Sequence, residues 1–326
     1  MQKLSEKNYR RAADNCASAA CAADASQTLD KKETQAIDFI RAIARNITQP
    51  LYLAYSGGKD SDIIYHIAKK AKVPFVGVYN NTTIDRPGTI AHVKSKGDIK
   101  IIQPRRTFFQ LIEHRGLPST FQRICCAKLK ELYIGQHVIT GVRAAESTPR
   151  RLKYKEPTAC FVHKSGRTSQ RYMPILFWSD NEVEEYIAQE AIKCHPWYYE
   201  PDGTFCIKKR VGCLGCPMPE QRGIQDFVRY PKLLRRWCQA LAVYRKTRPV
   251  LGTTITYYRD EYENMYHNLF NKQIAQLIEQ QQTNDRDFAR MKLQNYFNIE
   301  LPPPQSPLEV LIKTTPLKSA TQNLPR

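Results

Sequence analysis

"LYLAYSGGKDSDIIYHIAKK", residues 51–70, sets a short apolar run against a polar turn and then an amphipathic run. Leu51–Tyr55 reads as a buried strand, and from Asp60 onward the apolar residues recur at helical spacing. Ser56, Gly57, Gly58, Lys59, Asp60 and Ser61 stand where the strand hands over to the helix. In a parallel sheet such a turn lies at the edge beyond the carboxyl ends of the strands, where ligands bind. Glycines let the backbone approach an anion closely, the amides opening the helix point at it, and Lys59 adds a full positive charge. The turn is not a Walker A loop, which needs an earlier glycine and a Ser or Thr after the lysine; Asp60 follows Lys59 here. A plain strand–helix turn is the alternative, and two glycines alone would leave it favoured. The full order Ser-Gly-Gly-Lys-Asp-Ser after an apolar strand favours a phosphate cradle, with Lys59 expected as an exposed loop side chain.

Outward from this turn, short apolar runs alternate with helical patterns. Residues 31–47 place Ile37, Ile40, Ala44 and Ile47 on one helical face. Strands are expected at 51–55, 74–79, 99–102, 137–140 and 171–177, with helices at 60–71, 88–95, 107–115, 125–134 and 179–189. The last of these opens on Ser179 with acids in its first turn, a good capping arrangement. Strands separated by helices predict right-handed βαβ units and an α/β fold with a parallel sheet. Residues 226–300 read as a helical region following a nucleotide-binding domain over 31–225. Residues 1–30 read as a weakly ordered Ala-rich lead, with Cys16 and Cys21 as small apolar residues, and 301–326 as a disordered Pro-rich tail.

The chain has 326 residues, with 50 Lys and Arg against 31 Asp and Glu, a net charge of +19. That excess favours a polyanionic partner, because basic side chains displace the counterions condensed on phosphate backbones. No apolar run approaches the roughly 18 residues that span a bilayer, and the N-terminus lacks a hydrophobic signal core. A soluble, cytoplasmic protein without membrane association is expected. Ten cysteines in that compartment stay reduced, so clustered ones suggest metal rather than disulfides.

Ser56–Ser61 resembles the signature of the PP-loop, or N-type ATP pyrophosphatase, superfamily. Further stretches are similar to its sulfonucleotide-reductase-like branch, which includes PAPS and APS reductases and DNA phosphorothioation enzymes. "YNNTTIDRPGT" (79–89) resembles the second-strand segment, "ITGVRAAESTPR" (139–150) the Thr-Gly-Ile-Arg segment, and "MPILFWSDNEVEEYI" (173–187) a Pro-Ile…Trp…Tyr-Ile stretch. "HPWYYEPDGTFCIKKRVGCLGCP" (195–217) resembles the segment before the distal cysteine pair. The chain departs from the pattern at Asn81, where Asp is usual, and at Thr83, where Gly is usual. The resemblance implies a PP-loop fold that binds ATP, or a PAPS- or APS-like nucleotide, and cleaves between the α and β phosphates with Mg²⁺. It assigns Ser56, Gly57, Gly58, Lys59, Asp60, Ser61, Asn81, Thr82, Gly141, Arg143 and Arg150 to the nucleotide, with Lys59, Asp60 and Arg143 catalytic. Arg143 and Arg150, after the fourth strand at the same sheet edge as the loop, are expected to face the nucleotide phosphates or the substrate. Asp60 is read as positioning the metal or the Lys59 ammonium, or as capping the helix.

Cys125 and Cys126 form one pair and Cys213-Leu-Gly-Cys216 another, a spacing that suggests four thiolates around one centre. In the resembling reductases such pairs hold a 4Fe–4S cluster, so the likeness assigns Cys125, Cys126, Cys213 and Cys216 as ligands. Zinc is the alternative, since thiolate ligation alone does not separate the two. Cys160, Cys194, Cys206 and Cys238 read as core or incidental. The reductases' Glu-Cys-Gly-His nucleophile segment has no counterpart, because the last cysteine, Cys238, sits in "RRWCQAL".

Between Lys208 and Arg248 eleven basic residues stand against two acids, interleaved with Phe227, Tyr230, Trp237 and Tyr244. That pattern suits a nucleic-acid track or, equally, an amphipathic helix with a solvated face. The expected function is an ATP-dependent iron–sulfur enzyme transferring sulfur, with DNA or RNA as acceptor and a sulfur-donor protein such as a cysteine desulfurase as partner. The alternatives are a sulfonucleotide reductase with an atypical nucleophile and a zinc-stabilised nucleic-acid-binding protein.

Overall fold

The computed structural model describes residues 21–119, 123–218, 220–247, 260–270 and 287–305. Cys16, the first 20 residues, Arg248 and the tail beyond 305 lie outside the described residues. In chain order the elements are α1 Cys21–Arg45, β1 Leu51–Tyr55, α2 Lys59–Ala71, β2 Val76–Asn80, α3 Thr89–Lys94, β3 Ile99–Ile102 and α4 Phe108–Arg115. A π-helical turn Cys126–Lys130, β4 His137–Thr140, α5 Thr148–Lys153, β5 Thr158–Val162, β6 Thr168–Tyr172 and α6 Asp180–Gln189 follow. The chain ends in α7 Glu220–Arg229, α8 Pro231–Thr247, α9 Glu261–Phe270 and α10 Phe288–Phe297. Two compact units divide it: Met1–Thr107 with Ile124–Leu214, and Phe108–Arg123 with Gly215–Arg326.

The first unit is α/β. Its six strands run in the order β3-β2-β1-β4-β6-β5, all parallel except the edge strand β5, which is antiparallel to β6. From β1 the chain moves outward through β2 and β3, then returns to place β4 on the other flank of β1. The direction of winding therefore reverses between β1 and β4, and a crevice opens at their carboxyl ends. The strands β1 and β4 are mostly buried, as expected for a sheet covered on both faces. Helix α2 packs Ile63, Ile64 and Ile67 into the core, each contributing about 2 kcal/mol of burial. On α1 the buried positions are Leu29, Ala36, Ile40 and Ile43, with Ile37 at the margin and Ile47 beyond the helix end, so the face is rotated from the one the sequence suggested.

Three expectations change. The helix expected from residue 31 already runs from Cys21. The helix expected at 125–134 is a five-residue π-turn, and Glu131 N donates to the Cys126 carbonyl as it closes. The strand expected at 171–177 is instead β6, ending at Tyr172, because Met173–Phe177 leaves the sheet in turns; β5 precedes it as a hairpin partner. The apolar run Met173–Leu176 is buried in those turns rather than in a strand, so hydrophobicity alone misplaced it.

The second unit is helical. Helix α4 packs on α8, and α8 on α7 and α9. Trp237 is buried between Phe108 and Phe227, with ring centroids 5.0 and 5.3 Å away. Gly215 has φ +67°, and a Cβ there would lie 2.7 Å from Phe227, so only glycine admits this packing. Phe227 and Trp237 are thus core residues, which removes them from any track on which bases stack. No described helix is long and apolar enough to cross a membrane.

Candidate functional site

The turn after β1 lies at the crevice mouth. Gly57 has φ +75°, and a Cβ would stand 3.0 Å from Thr89 at the start of α3. Gly58 caps α2: its carbonyl accepts from the Ser61 and Asp62 amides and from the Ser61 hydroxyl at 2.7 Å. Ser56 donates to Ser61 Oγ at 3.3 Å. Gly141, ending β4, is pressed on this turn; a Cβ would lie 2.7 Å from the Asp60 carbonyl oxygen.

Lys59, expected to be exposed, is 5% accessible. Its ammonium lies 3.5 Å from Asp60 Oδ2 and 5.5 Å above the Tyr198 ring, and its amide donates to the Tyr198 hydroxyl at 3.1 Å. The stem is enclosed because residues 196–198 form a short 3-10 turn that puts Tyr198 under the loop. Burial pushes the Tyr198 phenol above its usual range, so it stays protonated and available as a donor.

Arg143, expected to face the phosphates or the substrate, is turned into the protein and is 1% accessible. Its Nε donates to Asp60 Oδ1 at 2.6 Å, Nη1 to the Trp178 carbonyl at 3.1 Å and Nη2 to Asp180 Oδ1 at 2.8 Å. The two carboxylates outweigh the desolvation that opposes its charge and hold its pKa above the ordinary value. Arg143 thus ties the first turn of α2 to the first turn of α6 and positions Asp60. Asp60 is in turn shared between a lysine and an arginine. Arg150 is half-buried beside Glu146, which also binds Arg210 at 2.9 Å. Burial and the neighbouring Arg210 charge lower its pKa, with Asp60 opposing and Arg143 adding to that fall. Lys59, Arg143, Arg150 and Arg210 therefore gather cationic charge around Asp60 and Glu146.

The loop after β2 carries Asn81 and Thr82. Asn81 Oδ1 accepts from the Thr83 amide at 2.8 Å, and its Nδ2 donates to Gln103. Thr83 has φ +61°, the left-handed conformation for which glycine is the usual residue. Thr82 is buried, its amide donating to Asp85 Oδ2 at 3.1 Å. Asp85 pairs with Cys213 across a β-bridge, and Cys213 Sγ lies 3.6 Å from Thr82 Oγ1. The neighbouring thiol of Cys126, burial and the charges of Cys126 and Cys213 push the Cys125 thiol well up. Cys125, Cys126 and Cys213 are donors of the kind a soft metal centre takes, but their three sulfurs do not all lie within 4.8 Å of one another. Cys216 follows three residues on, at the start of the second unit. Among the described residues the only three ligand-type atoms within 4.8 Å of one another belong to Glu33, His66 and Glu190. Lys70 bonds both of those carboxylates, at 2.6 and 2.9 Å, so its ammonium already supplies the positive charge there.

Sequence reasoning missed Asp62, whose side chain is fully buried among the Tyr55 hydroxyl, His92 Nε2 at 3.0 Å and Lys96 Nζ at 2.8 Å. It locks α2 to β1 and α3. His195 closes this cluster, its Nε2 3.3 Å from Thr89 Oγ1 and its Nδ1 accepting from the Trp197 amide. Burial first, then the His92 and Arg86 charges, lowers the His195 pKa to about 4, against the pull of Asp62. The sequence signal was an acid two residues after Asp60 in a helix's first turn, with histidines about 30 and 130 residues on. Cys160 is exposed, whereas Cys194 and Cys238 are buried.

Comparison with known proteins agrees with this layout. Residues 50–219, just over half of the chain, match the model of the phosphoadenosine phosphosulfate reductase domain. Two uncharacterized proteins of Methanocaldococcus jannaschii are each 27% identical, over 232 and 234 residues. These alignments cover 66% and 67% of this chain but 46% and 54% of theirs, so the chain spans about half the length of the curated relatives it matches. Among solved structures, the phosphoadenylyl-sulfate reductase from Candida auris is 17% identical with a TM-score of 0.38, over 52% of this chain and 88% of that one. The U34-tRNA thiolase NcsA from Methanococcus maripaludis, solved with its 4Fe–4S cluster, is 13% identical with a TM-score of 0.38, over 66% and 78%. With its Ser-Gly-Gly-Lys-Asp-Ser turn at the crevice between β1 and β4, the chain belongs to the phosphoadenosine phosphosulfate reductase domain family.

Proposed function

We propose that this protein is a PP-loop enzyme that cleaves ATP between the α and β phosphates to activate an acceptor for sulfur transfer, the acceptor being nucleic acid. The observation that supports this reading is that the Lys59 loop follows β1, while the loop with Thr82 and Asp85, which bridges to Cys213, follows the adjacent parallel strand β2, so both leave the same edge of the sheet.

Gly57 and Gly58 let the backbone close on the phosphates, and the opening of α2 offers its amides and positive dipole end. Lys59 stabilises the charge that develops as pyrophosphate leaves. Asp60, fixed by Arg143, holds the Lys59 ammonium in place or shares Mg²⁺ with the departing phosphates. Asn81 and Thr82 flank the nucleotide on the β2 side, while Arg150 borders the acceptor side. Cys125, Cys126 and Cys213 are the ligands the first unit supplies, and Cys216 completes the sequence pattern. When bound there, a 4Fe–4S cluster supplies a sulfur-seeking iron beside the nucleotide.

The reductase alternative needs a thiolate nucleophile. Cys238 is 2% accessible, and burial together with Glu261 and Asp260 pushes its thiol up, so it does not offer one. The test is AMP and pyrophosphate release from ATP in the presence of transfer RNA and, separately, of single-stranded DNA. Lys59→Met keeps the buried stem and removes the charge, so it is expected to abolish turnover with a native melting curve. Undiminished turnover in that variant rules out the PP-loop role, and sulfite release from PAPS or APS by the wild type selects the reductase.

A further inference from the structure

The free edge of the sheet in the first unit has a composition that the nucleotide site does not use. Between residues 150 and 172 seven basic residues stand against one acid. This segment forms α5 and the β5–β6 hairpin, with β5 ending the sheet. Arg151, Lys153, Lys155, Lys164 and Arg167 are all exposed.

Aromatic rings are interleaved with these charges in space, from segments that the sequence does not align. In the hairpin, Phe161 opposes Ser169 and Ala159 opposes Arg171, so Phe161 and Arg171 share a face. The Arg171 guanidinium carbon lies 3.3 Å from the Phe161 ring centre. His163 stands edge-on to Phe161 at 4.8 Å and to Tyr133 at 5.4 Å. Arg167 covers Tyr133 at 5.1 Å, and Lys153 covers Tyr154 at 5.1 Å. His163 is fixed by Ser169 Oγ at 2.8 Å and the Glu131 carbonyl at 3.1 Å, so this array is built rather than loose. The Tyr154 amide donates to the Arg150 carbonyl at 2.9 Å, so Tyr154 closes the helix α5 that carries Arg150.

The two most exposed large apolar side chains among the described residues also lie on this segment: Leu152 on α5 and Val162 on β5, each 66% accessible, with Val162 on the face of β5 opposite Phe161. A simple solvated basic face has no need of them. Exposed lysines and arginines on the same segment as half-buried rings and exposed apolar groups match what a flexible polynucleotide presents: phosphates for the charges and base edges and faces for the rings.

We propose that α5 and the β5–β6 hairpin form the docking face for a single-stranded polynucleotide, leading its acceptor nucleotide past Tyr154 and Arg150 to the loop that holds ATP. This deepens the function proposed above and rests on it for the acceptor's purpose, though the docking face itself stands on its own geometry. It also moves the nucleic-acid track away from residues 208–248. There Phe227 and Trp237 are buried, Arg236 pairs with Glu113 and Arg235 donates to the Glu300 carbonyl.

The test is fluorescence anisotropy of the full chain with a labelled single-stranded RNA of about 20 nucleotides, the DNA of the same sequence, and the matching duplex, each across a salt series. Arg151→Glu/Lys164→Glu/Arg167→Glu is expected to weaken single-strand binding at least ~10-fold and to flatten the salt slope by about 2, near 0.7 for each lost phosphate contact. Phe161→Leu keeps an apolar side chain and is expected to weaken binding ~5-fold or more with the slope unchanged, because it removes stacking and not charge. Arg235→Glu/Arg236→Glu is expected to change binding far less. RNA favoured over DNA, or the reverse, identifies the strand, and both support the face. Wild-type affinity and slope in the triple variant overturn it, as does duplex bound as tightly as single strand with Phe161→Leu silent. ATP binding measured by calorimetry separates the two proposals. If the wild type binds oligonucleotide through this face but no ATP, the PP-loop function fails and the docking face stands. If the triple variant binds ATP and oligonucleotide normally, only the face fails.

Discussion

Arg143 shows how a residue's chemistry depends on where its charge is met. A guanidinium beyond β4 invites a phosphate reading, yet Asp60, the Trp178 carbonyl and Asp180 take its three nitrogens. Removing one partner of such a buried pair leaves the other uncompensated, so Arg143→Gln is expected to destabilise the fold by about 3 kcal/mol. Arg143→Lys retains the charge but loses the fork, and is expected to raise the KM for ATP through a displaced Asp60 more than it lowers Tm. Denaturant melts paired with nucleotide titrations check both, and a lysine variant identical to wild type in KM refutes the positioning role. His195 gives a second test at this scale. Its folded pKa, about 4, lies below the unfolded value near 6.5, so the unfolded chain binds the extra proton between them. The stability this contributes is complete above about pH 6.5 and is lost as pH falls toward 4, on the order of 2 kcal/mol. Replacing His195 by Gln is expected to flatten that acid limb in urea melts at pH 7 and 5. An unchanged limb assigns the loss to other groups.

Among the elements, the decisive contact is β4 against the first turn of α2. Gly141 is required there not for its φ but for closeness: a Cβ would lie 2.7 Å from the Asp60 carbonyl oxygen and 2.9 Å from its carbon. Those are backbone atoms, which cannot swing aside as a side chain does. Gly141→Ala is therefore expected to cost about 2 kcal/mol or more and to weaken ATP binding, because the loop is pushed off its position. Calorimetric Tm and nucleotide affinity measured on the same sample check it, and a silent substitution shows that the close approach relaxes freely. The hairpin β5–β6 lies at the opposite extreme of legibility. Its residues Thr158–Val162 mix Thr, Ala, Cys, Phe and Val without a clean alternation, so the local pattern does not predict a strand. Pairing with β6 supplies what the local pattern lacks.

For the whole molecule, the candidate metal centre is the feature that most depends on distant parts of the chain meeting. Cys125 and Cys126 come from the π-turn before β4, and Cys213 reaches the same neighbourhood through its bridge to Asp85. Anaerobically purified protein is expected to contain iron and acid-labile sulfide, with the visible absorption of a cluster, and Cys213→Ser to lose both. Cys160→Ser, at an exposed position on the edge strand, is expected to keep them. Stoichiometric zinc without sulfide decides for the zinc alternative. The net charge of +19 was readable at once, but not its distribution: α5 and the hairpin hold exposed cations, whereas Phe227 and Trp237, interleaved with the basic residues of the second unit, are core.

The sequence by itself determined the strand–loop–helix at 51–71, the parallel strands that follow, the capping box opening α6 and the family these features resemble. All are local: the period of apolar residues, two glycines that free a turn and a serine that caps a helix need no distant partner. The tertiary structure decided that Lys59 lies over Tyr198, that Arg143 donates to Asp60, the Trp178 carbonyl and Asp180, and that Asp62 is held by Tyr55, His92 and Lys96. It also decided which aromatics face solvent. A buried charge or a capped ring is settled by groups from remote segments that neutralise or enclose it, and their arrival is a property of the fold rather than of any stretch of the chain.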